Sequence, residues 1–244
     1  MKFKDLLKLA AWELLNPLLL KMKKNKIYRF KESYSGINLG CGLDNPSKWI
    51  GVDGGISVVI SRLPSPLIKF FYGFQNTSKN IDVDVFIKKI KSADIIHHDF
   101  RYGIPFQDES VPNIYSSHFF EHLTKEHCRE ILKDCFRVMK KNGIIRICVP
   151  SLEEEVKKIR IALEAYDRGN VIPIEKYVTQ SASGYLSEYS NHRWMYNFEE
   201  LKTVLSEAGF VNIVQKSFGV GQLPDVEILE TRSGLHVEAS KSIT

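Results

Sequence analysis

Along most of the chain, short apolar runs alternate with stretches of helical period. GINL (36–39), WIGVD (49–53), ADIIHHD (93–99), NIYSS (113–117) and GIIRICVP (143–150) are brief, rich in isoleucine and valine, and bounded by turn residues. That is the pattern of parallel strands buried on both faces. Between them, residues 125–140 set Ile131, Leu132, Cys135, Val138 and Met139 near one face and stop at Asn142-Gly143, which predicts a helix. Ser151 with Glu154, and Asn197 with Glu200, read as N-terminal boxes of two more helices. FVNIVQKS (210–217) and GLHVEAS (234–240) then read as two strands forming an antiparallel edge. The order strand, helix, strand, helix predicts an α/β fold: an open, mainly parallel sheet with helices on both faces.

Two connections are longer than this plan needs. Residues 54–92 separate the second and third strands, and residues 168–196 separate two helices. Insertions of this kind are usually functional or carry helices of their own, and both are expected near the carboxyl ends of the strands, where open α/β sheets bind ligands. The expected organisation is a basic amphipathic segment over residues 1–34 and one domain over 35–244.

Charge refines the first of these. Residues 1–31 hold nine of the 34 Lys and Arg residues against Asp5 and Glu13, a local net of +7, which leaves −2 for everything after. The body is therefore not basic, and no nucleic-acid partner is expected. The first 26 residues are interrupted by Lys8, Glu13, Asn16 and Pro17, too broken for a signal peptide or a membrane span. Residues 1–31 are expected either to lie peripherally on an anionic membrane surface or to pack on the domain or a second copy, the apolar residues nearly all round favouring packing. Four cysteines without a CxxC pair suit a reducing compartment, and the expectation is a cytoplasmic protein, with the inner membrane surface as the peripheral alternative.

The chemistry concentrates at strand ends. INLGCG (37–42) runs a strand into a Gly-x-Gly turn, as close backbone approach to a ligand requires. Asp53 ends the next strand, where a carboxylate can accept from both hydroxyls of a ribose. No third glycine follows, and Gly40 and Asp53 are too close in sequence for a full helix between the strands, which disfavours a dinucleotide. SHFFEHL (117–123) holds His118, Glu121 and His122 in the HxxEH spacing of inverted zinc peptidases. Zinc would need both imidazoles on one continuous helix, whereas the helix is expected to start near Thr124, with the two rings pointing differently; no metal is expected.

Together these pieces resemble class I S-adenosylmethionine-dependent methyltransferases, most closely their small-molecule type 11 group, over residues 36–240. INLGCG resembles the first motif, Asp53 the ribose-binding acid, Asp99-Phe100 the adenine-contacting pair and NIYSSHFFEHL the fourth motif. The resemblance implies a Rossmann-like open twisted sheet, S-adenosylmethionine as cofactor, and cofactor contacts at Leu39, Gly40, Cys41, Gly42, Asp53, Asp99, Phe100 and Ser117. The short first loop and Asn113, where an Asp commonly stands, depart from the family pattern. No Asn/Asp-Pro-Pro-aromatic tetrapeptide follows the fourth strand, so the resemblance disfavours methylation of a nucleobase amino group. The expected acceptor is a small molecule or sugar, with a role in cell-surface polysaccharide biosynthesis among the functions the resemblance implies. His118 is the first candidate for a general base, with His122 and His192 behind it. Tyr185, Tyr189, His192, Arg193, Trp194 and Tyr196 are candidates to stack on the acceptor or to form a packed lid. The competing reading is a methyltransferase-like module that serves a partner without turnover.

Overall fold

A computed structural model describes residues 15–72, 82–170 and 192–242. Seven strands, β1 (Gly36–Leu39), β2 (Trp49–Asp53), β3 (Ile95–His97), β4 (Ile114–Ser117), β5 (Ile144–Val149), β6 (Val211–Lys216) and β7 (Leu235–Ser240), form one sheet in the order β3-β2-β1-β4-β5-β7-β6. β2 lies parallel to both β1 and β3. β7 inserts between β5 and β6, antiparallel to both. The helices are α1 (Asn16–Lys21), α2 (Ile56–Ile60), α3 (Ser65–Tyr72), α4 (Val83–Ser92), α5 (Lys125–Val138), α6 (Leu152–Asp167), α7 (Phe198–Glu207) and α8 (Val226–Leu229). Among the described residues no helix is long and apolar enough to cross a membrane.

The described residues divide into two compact units, one lying within 15–115 and 137–143, the other within 116–136 and 144–242. The division falls within β4 and near the end of α5. In the first unit β1, β2 and β3 are buried almost throughout. Gly36 is obligatory there, because a Cβ would meet the carbonyl of Asn113 and the ring of Trp49. β3 is shorter than the expected 93–99, because His98 Nε2 turns to the carbonyl of Gly103 (3.0 Å) and Asp99 caps a 3-10 turn at Phe100–Tyr102.

The described part of the basic N-terminal segment is packed on this unit. Asn16 and Leu20 of α1 are buried. Tyr28 N donates to the carbonyl of Pro105 (2.8 Å), and the Phe30 ring meets Phe106 edge-on at 6.2 Å. Residues 1–14 of that segment lie outside the described residues. The 54–92 insertion carries α2, α3 and α4, and Ile68, Ile87 and Ile90 form a small core with Leu43, Leu63, Val83 and Phe86 packed against it.

In the second unit both predicted helix starts are capped by the N-terminal half of the box: Ser151 Oγ accepts from Glu154 N, and Asn197 Oδ1 from Glu200 N (2.9 Å). β5 and β7 are buried, while β6 is largely exposed at the edge. A bulge between Val211 and Val214, with Asn212 at φ 52°, breaks the register of that edge.

Candidate functional site

In the first unit β1 delivers the chain into a turn where Gly40 and Gly42 adopt φ of 66° and 58°, a region that favours glycine. Gly40 N donates to the carbonyl of Val52 (2.9 Å), which fixes the turn against β2. At the end of β2 the Asp53 carboxylate accepts from Gly42 N (2.8 Å) and Gly55 N (2.7 Å). One carboxylate thus holds both the glycine turn and the exit of its own strand. Burial raises its pKa despite these two amides. Burial and the neighbouring Asp53 likewise push the Cys41 thiol upward, so it is protonated at neutral pH. Space is open beside the turn, since a Cβ on Gly42 would meet nothing within 4 Å.

Asp99 follows β3 and accepts from Arg101 N (2.9 Å) while pairing with its guanidinium (2.6 Å). Burial alone would raise this carboxyl, but the hydrogen bonds and charge of Arg101 prevail and hold it below the usual range. Phe100 beside it is partly exposed, as the first residue of the 3-10 turn.

The second unit gathers the histidines. Ser117 ends β4 partly exposed, within hydrogen-bonding reach of Cys148. His118 follows with φ 53°, an uncommon conformation for a non-glycine residue, held by donation from its N–H to the carbonyl of Cys148 (2.9 Å). Phe120–His122 is a 3-10 turn, and α5 begins only at Lys125, so the HxxEH residues do not lie on one α-helix. Each imidazole nevertheless approaches the same carboxylate, through a different ring nitrogen. His118 Nδ1 stands 3.3 Å and His122 Nε2 3.9 Å from the same oxygen, Glu121 Oε1. The 3-10 turn is tighter than an α-helix and turns Glu121 inward between them.

Glu121 is the residue missing from the sequence-derived candidates. Its side chain is 0% exposed, and among the described residues neither carboxylate oxygen has a hydrogen bond of good geometry. The signal was present in the HxxEH spacing, but burial of the acid follows only from the fold. His192 is also brought here: Arg193 N and Trp194 N donate to the main-chain oxygen of Glu121 (2.7 and 3.2 Å), and the His192 ring lies edge-on to His122 at 5.2 Å. Burial lowers the pKa of His192, with His122 and His118 adding to the effect against the pull of Glu121.

The other stacking candidates divide. Lys125 Nζ covers the Trp194 ring at 3.5 Å. Tyr196 is buried as packing, with its main chain bridged to Ser151 and Leu152. Tyr185 and Tyr189 lie outside the described residues.

A model of the methyltransferase domain matches residues 37–147, and a model of the ubiE/COQ5 methyltransferase family matches residues 94–224. No curated protein matches the chain. Among solved structures, an S-adenosylmethionine-dependent methyltransferase from Archaeoglobus fulgidus is 18% identical, covers 97% of this chain and 99% of its own, and has a TM-score of 0.44. A methyltransferase from Thermotoga maritima, a possible histamine N-methyltransferase, is 14% identical, with 99% and 97% covered and a TM-score of 0.46. With the second family model spanning more than half of its length, the chain belongs to the ubiE/COQ5 methyltransferase family and is a class I S-adenosylmethionine-dependent methyltransferase.

Proposed function

We propose that this enzyme methylates a hydroxyl oxygen of a small-molecule or sugar acceptor, with His118 as general base. The observation that carries the reading is the His118–Glu121 pair. A carboxylate 3.3 Å from Nδ1 favours the tautomer with its proton on Nδ1, which leaves the Nε2 lone pair to take a proton. Nε2 is buried and, among the described residues, has no hydrogen-bond partner. The left-handed backbone of His118 supports the same reading, since such strain tends to persist where a side chain must be aimed.

Bound S-adenosylmethionine supplies a methyl group already activated by its sulfonium. Leu39, Gly40, Cys41 and Gly42 would hold it along the glycine turn, with the open space beside Gly42 to receive it. Asp53 would take the ribose hydroxyls. Each of its oxygens accepts one amide hydrogen and keeps a further lone pair, and additional donors would offset the burial that raises its pKa. Asp99, Phe100 and Ser117 complete the proposed contacts, Asp99 serving through the turn it caps because Arg101 takes up its carboxylate. During the transfer His118 Nε2 would accept the proton of the acceptor hydroxyl. Cell-surface polysaccharide biosynthesis is the setting we favour for a sugar acceptor.

Methyl-labelled cofactor offered with a panel of hydroxyl-bearing sugars and small metabolites tests the reading. His118→Ala should lower kcat by about 10²–10⁴ while the affinity for S-adenosylhomocysteine stays unchanged. Full activity in that variant, or a product methylated on nitrogen or carbon, overturns it.

A further inference from the structure

We propose that Glu121, His122 and His192 bind one divalent transition-metal ion of the zinc class. The donor atoms of the three side chains all lie within 4.8 Å of one another. An ion bonded to each at ~2.0–2.2 Å needs donors about 3–4 Å apart. Glu121 Oε1 and His122 Nε2, at 3.9 Å, already meet that condition. His192 is exposed, and its donor atom lies within 4.8 Å of the other two.

An independent observation at the same place calls for a cation. Glu121 is wholly buried, and its carboxylate oxygens lack hydrogen bonds among the described residues, leaving His118 Nδ1 at 3.3 Å as the nearer of its two imidazole neighbours. A desolvated carboxylate is costly unless it is paired, hydrogen-bonded or bound to metal. An ion on Glu121 would pair the buried carboxylate, and His118 would become the group that orients the ligand carboxylate, an arrangement common around metal sites. The proposed base and the ion are therefore compatible.

Two imidazoles and one carboxylate suit zinc, cobalt or iron(II) rather than magnesium or calcium, which prefer oxygen ligands. Three protein ligands also leave a coordination position for an oxygen ligand. The site differs from the HxxEH arrangement: the second histidine ligand is His192, brought in by the amides of Arg193 and Trp194 on Glu121, and not His118.

Chelator-treated full-length protein titrated with cobalt(II), followed by its visible absorption and then by zinc competition, tests the site without reference to turnover. Saturable binding of one ion per chain is expected. His122→Ala and His192→Ala should each weaken it at least about tenfold, the lower end of what even supporting residues contribute to metal affinity. Cooperative melting of each variant checks that it is folded, and the exposed His192 provides the substitution least coupled to folding. No saturable binding of cobalt or zinc, or wild-type affinity in a folded His192→Ala protein, overturns the proposal.

Discussion

Arg146 shows how far a single residue can depart from the apolar logic of its strand. It lies in the middle of β5 with a fully buried side chain. Nε donates to Glu230 (2.5 Å), Nη1 to Glu238 (2.9 Å) and to the carbonyl of Val220, and Nη2 to the carbonyl of Ser217. His236 also meets Glu230 (2.6 Å), and the amides of Gly219, Gln222 and Leu223 serve the two acids. Burial would raise the Glu230 carboxyl, but His236, Arg146 and Gly219 hold it at about 2. Removing one member strands the others in a dry interior. Arg146→Met should therefore destabilise the protein by about 3–5 kcal/mol, the range for breaking a buried pair. Urea unfolding checks this, and a loss below about 1 kcal/mol would mean that the network behaves as a surface pair.

At the scale of elements, the short helix α1 is tied down by one polar chain. Asn16 Nδ2 donates to the carbonyl of Gly54 (2.9 Å), and Asn16 Oδ1 faces His97 Nε2 (2.9 Å), while Lys23 Nζ lies 3.0 Å from His97 Nδ1. An ammonium donor at Nδ1 requires an unprotonated nitrogen there, with the ring proton on Nε2. Burial, then the charge of Lys23, lowers the His97 pKa from 6.5 to about 4. Below pH 6.5 the unfolded chain therefore binds a proton that the folded chain refuses. Stability present above that pH should fall as the pH drops toward about 4 and level off beneath it. Urea midpoints measured across this window should show the loss, and His97→Gln should flatten it. An unchanged slope in that variant would remove His97 from the account. The basic segment thus has a structural role over its described residues, whatever residues 1–14 do.

For the whole molecule, cofactor binding is expected to act on stability as well as chemistry. S-adenosylhomocysteine at about 100 times its Kd should stabilise the native protein by about 2.7 kcal/mol. Asp53→Ala should weaken binding by about 1.5–3 kcal/mol, because it removes both the proposed ribose acceptor and the carboxylate that holds Gly42. Calorimetry on the two proteins checks this, and equal affinities would exclude Asp53 as a cofactor contact. The sequence by itself determined the elements whose physics is local: the apolar runs of β1, β2, β4 and β5, the caps at Ser151 and Asn197, the glycine turn, and Asp53 at its strand end. Each depends on side-chain period, capping or backbone freedom within a few residues. Only the tertiary structure decided the rest. It set β7 between β5 and β6, buried Arg146 against Glu230 and Glu238, packed α1 through Asn16, turned Glu121 inward and brought His192 to His122. Those partners lie tens of residues apart, where no local period records the pairing, and the burial that gives a charge its meaning exists only once the chain has closed around it.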